Sequence, residues 1–203
     1  MKDFPFNPST GTASALHLEY GPMPEYQRRV LLSQEQVSSG LASLAKRLRP
    51  RLVAKEVTVI PIMGGAMIFC ADLVRGLDPG LVLDFLRIQT YGSSMSPQRE
   101  AKVQWHPERC NVEGRTIVLV DDILDTGRTM TEARRYLLEE MDALEVICIV
   151  LVDKPARRDC EIQADDCVLV VEEDLFLIGC GLDWDGKYRN LPELCALEAV
   201  VEA

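Results

Sequence analysis

Histidine is nearly missing from this 203-residue chain, which has only His17 and His106, so a zinc site is not expected. Cysteine occurs seven times, at Cys70, Cys110, Cys148, Cys160, Cys167, Cys180 and Cys195, but never as Cys-x-x-Cys. The odd, scattered count argues against a disulfide framework and fits reduced structural thiols in a cytoplasmic protein. No apolar run is long enough to cross a bilayer, and the N-terminus lacks a basic-then-apolar leader, so no membrane partner is expected. Excess positive charge is lacking too. A formal net charge of −10 disfavours nonspecific contact with nucleic acid or anionic lipid. Internal repeats and an interdomain linker are also missing.

What is present is a chain of the length of one α/β domain, long enough to bury a core unaided. Residues 1–24 carry Pro5, Pro8, Pro22 and Pro24 without periodicity and read as an extended arm before a single domain over 25–203. A helix is expected from Ser33, where Ser-Gln-Glu-Gln forms a capping box with Gln36. Val37, Leu41, Leu44, Ala45 and Leu48 would be its apolar stripe, and Pro50 would follow its end. Strand Val57 to Ile62 leads through Gly64-Gly65 into a helix from Met67 to Gly76. Strands are expected at Leu81 to Gln89, Lys102 to Trp105, Thr116 to Val120, Val146 to Val152, Val168 to Val171 and Leu177 to Cys180. Strands alternating with helices predict a mostly parallel sheet.

The most informative stretch runs from Ile117 to Thr129. Ile117 to Val120 is unbroken and apolar, as in a central strand covered on both faces. Asp121 and Asp122 follow at its carboxyl end, where open α/β sheets bind ligands. Asp125, Thr126, Gly127, Arg128 and Thr129 read as a turn. A helix over Thr131 to Met141 would then place Ala133, Leu137 and Met141 on one face. Free N–H groups at a helix start favour an anion, and Gly127 allows close backbone approach. Carboxylates beside such donors suit a sugar phosphate, with acceptors for hydroxyls and donors for phosphate oxygens. A bland alternative is a capped helix with solvated acids. The acidic net charge does not oppose a polyphosphate ligand, because Mg²⁺ can neutralise it within the site.

This segment resembles the diphosphate-sugar binding motif of the type I phosphoribosyltransferases. More specifically, the chain is similar to the hypoxanthine-guanine phosphoribosyltransferases from about Val57 to Leu197. Further matching stretches are Met63-Gly64-Gly65-Ala66, Asp84 to Arg87 with Thr90 to Ser94, Leu151 to Pro155, and Gly179 to Asp183 with Tyr188 to Pro192. The resemblance implies a central, mostly parallel, twisted sheet flanked by helices, with a small hood and a flexible lid loop. It implies transfer of 5-phosphoribosyl from 5-phosphoribosyl diphosphate to hypoxanthine or guanine, giving IMP or GMP and pyrophosphate, with Mg²⁺ and in a homo-oligomer, dimer or tetramer. Two other readings are a xanthine- or adenine-preferring transferase and a non-catalytic RNA-binding regulator. The regulator needs a basic face, which this acidic chain lacks.

By the same resemblance, Asp121 and Asp122 take the ribose hydroxyls, and Asp125 is the general base, or acceptor, for the purine N7 proton. Capping of the next helix is another possible role for Asp125. Residues Thr126, Gly127, Arg128 and Thr129 bind the phosphorylated sugar. Met63, Gly64 and Arg189 bind pyrophosphate. The Met63-Gly64-Gly65 turn can hold a non-proline cis peptide. Some relatives have Lys at position 63, so Met63 can act only through its backbone. Lys154 reaches the purine 6-oxygen, Phe176 stacks on the base, and the carbonyls of Leu177 and Asp183 accept from a guanine amino group. Asp183 holds Mg²⁺, with Asp121 and Asp122 as further candidate ligands. Thr90 and Tyr91 open the lid loop from Tyr91 to Arg99. Relatives often have Tyr at position 180, where this chain has Cys180.

Overall fold

A computed structural model describes residues 26–78, 80–91 and 100–199, without the side chains of 89–91, 100–102 and 199. The expected arm over 1–24 and the body of the lid loop, 92–99, therefore lie outside the described residues. Among those described, no helix is long and apolar enough to cross a membrane.

The centre is a parallel sheet of five strands. They are β2 (Val57–Pro61), β3 (Val82–Leu83), β6 (Thr116–Leu124), β7 (Glu145–Asp153) and β8 (Asp166–Val170), in the order β3-β2-β6-β7-β8. The strands are apolar at successive positions because both faces are covered. Val118 and Val120 of β6 point into one core with Val57, Val59, Ile147 and Ile149. Ile117 and Leu119 point into the other with Ile60, Val146 and Cys148. Each such buried side chain contributes about 1.5–3 kcal/mol.

Helices α1 (Gln34–Leu52) and α2 (Ala66–Arg75) cover the first face, and α3 (Arg128–Glu139) covers the second. The α1 start is as the sequence predicts. Ser33 caps it, and Gln36 returns its side chain to the Ser33 N–H at 2.8 Å. Its end is not. Pro50 lies inside the helix, two residues before Leu52. A proline there removes one bond in the last turn, and its fixed φ is already helical.

Two smaller sheets flank this centre. Strands β4 (Arg87–Tyr91) and β5 (Glu100–Trp105) form an antiparallel pair. The hood joins β1 (Tyr26–Leu32), β10 (Leu194–Ala199) and β9 (Phe176–Ile178), antiparallel and in the order β1-β10-β9. The expected single strand from Leu81 to Gln89 is instead split between β3 and β4. Asp84 breaks it: its carboxylate accepts from the N–H groups of Phe85 at 2.7 Å and Glu108 at 2.9 Å, and from Asn111 Nδ2 at 2.9 Å. A side chain that satisfies neighbouring backbone in this way competes with the ladder.

Strand β6 runs four residues beyond its expected end at Val120. It continues because β7 stays alongside: Asp121 is paired with Val150, Ile123 with Val152 and Leu124 with Asp153. Helix α3 begins at Arg128, earlier than the expected Thr131. Gly127, at φ +92°, turns the chain from loop to helix in one residue, and its carbonyl accepts from Thr131 N at 2.9 Å. Arg128 and Thr129 thus belong to the first helical turn, where their N–H groups have no intrahelical partner.

Candidate active site

The carboxyl ends of β2 and β6, the start of α3 and the loop after β9 surround one cleft of about 540 Å³. Its lining includes Met63, Gly64, Gly65, Asp121, Asp122, Asp125, Thr126, Gly127, Arg128, Thr129, Asp183 and Arg189. Residues around 63–65, 121–129 and 183–189, far apart in sequence, therefore meet at one place.

The Met63–Gly64 peptide is cis, and Met63 N donates to Leu86 O at 2.8 Å. Gly65 begins α2 and presses against the acid pair. A β-carbon there would stand 1.6 Å from Asp122 Oδ2 and 3.1 Å from Arg189 Nη1. From the other side, Gly181 at φ +109° approaches the Gly65 carbonyl, where a β-carbon would stand 2.1 Å away. Gly181 needs glycine because what it meets is backbone, whereas a side chain at Gly65 would have to push aside the Asp122 carboxylate.

Asp121 and Asp122 are partly buried within β6 and fold back on the main chain. Asp121 Oδ1 accepts from Asp122 N at 3.0 Å, and Asp122 Oδ1 accepts from Ile123 N at 2.9 Å. Burial pushes the Asp121 carboxyl well above its ordinary value, and the charge of Asp122 adds to this. Burial raises Asp122 as well, opposed by hydrogen bonds from Asp121 and from the Ile123 N–H and by the Arg189 charge. The pair therefore gives up its protons less readily than solvated carboxyls, with Asp121 holding its own longest.

Beside the acid pair, Arg189 Nη2 meets Asp183 Oδ1 at 2.7 Å, while Nη1 donates to Gly181 O at 2.6 Å. Asp183 Oδ2 accepts from Gly186 N at 2.7 Å. The guanidinium is thus held by the turn from Gly179 to Asp183 with its charge at the cleft.

Asp125 follows β6 and has an unusual environment. Its Oδ1 is buried and makes no hydrogen bond, although Arg157 Nε stands 2.7 Å away. Arg157 was not foreseen from the sequence, since an Arg after Lys-Pro-Ala reads as solvated surface. The same guanidinium donates to Asp174 Oδ1 at 2.7 Å. Asp174 is shared with Lys154, whose Nζ is 3.4 Å from that oxygen and donates to Leu175 O at 2.8 Å.

Lys154, Phe176 and Leu177 stand beside the cleft lining rather than in it, connected through Asp174 and Leu175. Lys154 is 5% exposed, unusual for a lysine, and Phe176 on the hood edge is 53% exposed. Leu177 is buried in the first core and pairs with Ala196 of β10. Thr90 and Tyr91 end β4, and their side chains lie outside the described residues. Cys180 is turned away from the cleft. It lines a separate cavity of about 460 Å³ between α1 and α2, and burial pushes its thiol up to about 12.

The donor set can be tested against a metal. Asp121, Asp122 and Asp183 offer only carboxylate oxygen, and among the described residues no group of three or more His, Cys, Asp or Glu forms a ready cage. Few, hard, oxygen ligands beside room for phosphate and water fit Mg²⁺ better than zinc. A cation would also relieve the repulsion within the Asp121–Asp122 pair.

Comparison with known proteins bears on this geometry. A family model described as "Phosphoribosyl transferase domain" matches residues 30–185. The hypoxanthine-guanine phosphoribosyltransferase of Aquifex aeolicus (strain VF5) is 37% identical over 171 residues, covering 84% of this chain and 94% of the relative. That of Bacillus subtilis (strain 168) is 33% identical over 176 residues, covering 85% and 94%. Among solved structures, a hypoxanthine phosphoribosyltransferase from Staphylococcus aureus has a TM-score of 0.78 at 28% identity, covering 84% of this chain and 91% of that one. A hypoxanthine-guanine phosphoribosyltransferase from Bacillus anthracis has a TM-score of 0.75 at 27% identity, covering 83% and 97%. With its parallel sheet, antiparallel hood and shared cleft, this chain has the type I phosphoribosyltransferase fold and belongs to the hypoxanthine-guanine phosphoribosyltransferase family.

Proposed function

We propose that the protein transfers the 5-phosphoribosyl group of 5-phosphoribosyl diphosphate to hypoxanthine or guanine, a purine-salvage reaction that gives IMP or GMP and pyrophosphate. The observation that carries this reading is the single cleft joining the acid pair of β6, the free N–H groups of α3, the cis turn at Met63–Gly64 and Arg189. In this reading the purine nitrogen attacks the anomeric carbon as the bond to the diphosphate breaks. Catalysis then requires orientation, charge on the departing group and a place for the purine proton.

Each residue has one of these tasks. The N–H groups at the start of α3, with the hydroxyls of Thr126 and Thr129, hold the 5-phosphate. Asp121 and Asp122 orient the ribose through its hydroxyls. The Met63–Gly64 backbone and the Arg189 guanidinium hold the diphosphate. Asp125, whose carboxylate lines the cleft beside Arg157, accepts the purine N7 proton. Lys154 donates to the 6-oxygen, which disfavours adenine, whose 6-amino group is itself a donor. Phe176 stacks on the base, and the Leu177 and Asp183 carbonyls receive a guanine amino group. Asp183, with Asp121 and Asp122, holds Mg²⁺, which when bound supplies positive charge against the departing diphosphate. Thr90 and Tyr91 begin a lid that keeps water from the ribosyl cation.

The same reading places the enzyme in the cytoplasm as a homo-oligomer, with residues 25–203 as one domain behind an arm of 24 residues. A Mg²⁺-dependent ultraviolet assay with the diphosphate sugar and each purine in turn tests the function. Turnover of hypoxanthine or guanine, with adenine unreactive, is the expected result. No turnover of any purine would overturn it.

A further inference from the structure

Lys154 and Arg157 lie at the two ends of one 3-10 turn, Pro155–Arg157, that directly follows Lys154. In such a turn side chains three apart eclipse, so both cations point the same way and both reach Asp174. Arg157 then extends to Asp125, with which it lines the cleft.

The next residue works on the main chain of the same loop. Arg158 is largely buried. Its Nε donates to the Asp125 carbonyl at 2.9 Å, its Nη2 to the Leu124 carbonyl at 3.0 Å, and its Nη1 to Ile162 O at 2.7 Å. The Asp153 carboxylate neutralises it. Gly127 packs on its stem, where a β-carbon would stand 2.7 Å from Arg158 Cδ. Two further backbone bonds tie the strand ends together, from Lys154 N to Leu124 O at 3.0 Å and from Asp159 N to Thr126 O at 3.0 Å.

We infer that Arg157 and Arg158 are positioning residues for the transfer: Arg158 fixes the main chain of the sugar-phosphate loop, and Arg157 aims the Asp125 carboxylate and couples it through Asp174 to Lys154. The inference deepens the proposed function and rests on it. Its physical content is a division of labour. A planar guanidinium with five donors can bridge several carbonyls at once, as Arg158 does. Arg157 holds the carboxylate by charge at its buried Oδ1, while the side chain is 36% exposed, which leaves the other oxygen for a ligand's N–H. Because Arg157 and Asp174 are exposed, their pairing adds little to folding, and its purpose is geometry at the cleft.

Steady-state kinetics and calorimetry on the full chain with Mg²⁺ test this. Arg157→Gln is expected to fold with a melting temperature near the parent's and to lower kcat for hypoxanthine about 10- to 100-fold. The KM for the diphosphate sugar should stay within about threefold of the parent's, since the phosphate loop is untouched. Arg157→Lys should recover part of the loss. In an Asp125→Asn background, Arg157→Gln should cost less than about twofold more, because its target is already disabled. Arg158→Gln, and Arg158→Lys if the first folds poorly, should instead weaken sugar binding in calorimetry by about tenfold or more. An unchanged kcat for Arg157→Gln, or its full loss persisting in the Asp125→Asn background, would overturn the Arg157 role. Parent-like sugar binding by the Arg158 variants would overturn the other. A parent protein that binds sugar but turns over no purine would fail the functional reading itself, and the inference with it.

Discussion

Gly65 lies so close to Asp122 that a β-carbon on it would stand 1.6 Å from the carboxylate Oδ2. The start of α2 and the end of β6 therefore meet through a position with no side chain, and the acid pair takes its place in the cleft from that contact. Gly65→Ala should displace Asp122, cost about 1–3 kcal/mol of stability, and weaken binding of the diphosphate sugar by about tenfold or more. Calorimetry with Mg²⁺ and the sugar checks this. Parent-like affinity would show that Asp122 does not need its observed position.

Asp125→Asn should leave the fold intact, since it gives up only a part-exposed ion pair with Arg157. Its kcat should fall by about 10²- to 10⁴-fold, the range of a lost general base. An unchanged kcat would remove Asp125 from the chemistry and leave it a structural acid.

Lys154→Met keeps the length of the buried stem but removes the ammonium. The kcat/KM for hypoxanthine should fall about 10- to 100-fold, equivalent to about 1.5–3 kcal/mol for a hydrogen bond from a charged donor. Guanine, which presents the same 6-oxygen, should lose rate to a similar degree. A parallel assay of both bases decides the matter.

The acid pair makes the free protein's stability depend on pH in a definite direction. Asp121 has an ordinary value near 3.8 in the unfolded chain and a raised one in the fold. Its stability contribution is complete below the unfolded value and is lost as pH rises through the folded one. Asp121→Asn cannot ionise, and its Oδ1 still accepts from Asp122 N. Measured with a chelator and no sugar, it should melt above the parent at pH 7.5 by about 2–4 °C per kcal/mol relieved. The gain should shrink as pH falls toward about 4. An equal gain at both pH values would locate its cause outside ionisation.

The central strands were legible because both of their faces are covered, which leaves an apolar run that needs no neighbour to be recognised. The Ser33 capping box and the glycines at Gly64, Gly65 and Gly127 were legible for a similar reason, since each answers a local backbone demand. The hood was only half visible. β1, with Gln27, Arg28 and Arg29 exposed, carries little apolar signal and becomes a strand by pairing with β10. The break at Asp84 depends on Glu108 and Asn111, more than twenty residues away. In the cleft, the acids Asp121 and Asp122 and the turn at Gly127 were readable as one stretch. Arg157 and Arg158 were not, because a surface arginine and a loop-building one look alike until the carbonyls of Leu124 and Asp125 are seen beside them.

The hood closes by joining Tyr26 to Ala199, so its first and last strands are separated by nearly the whole described chain. During synthesis the parallel sheet can assemble while β10 is still unmade. The edge bearing Phe176 and Leu177 gains its partner last. Loss of β10, Leu194–Ala199, would leave both β1 and that edge of β9 without the strand that joins them.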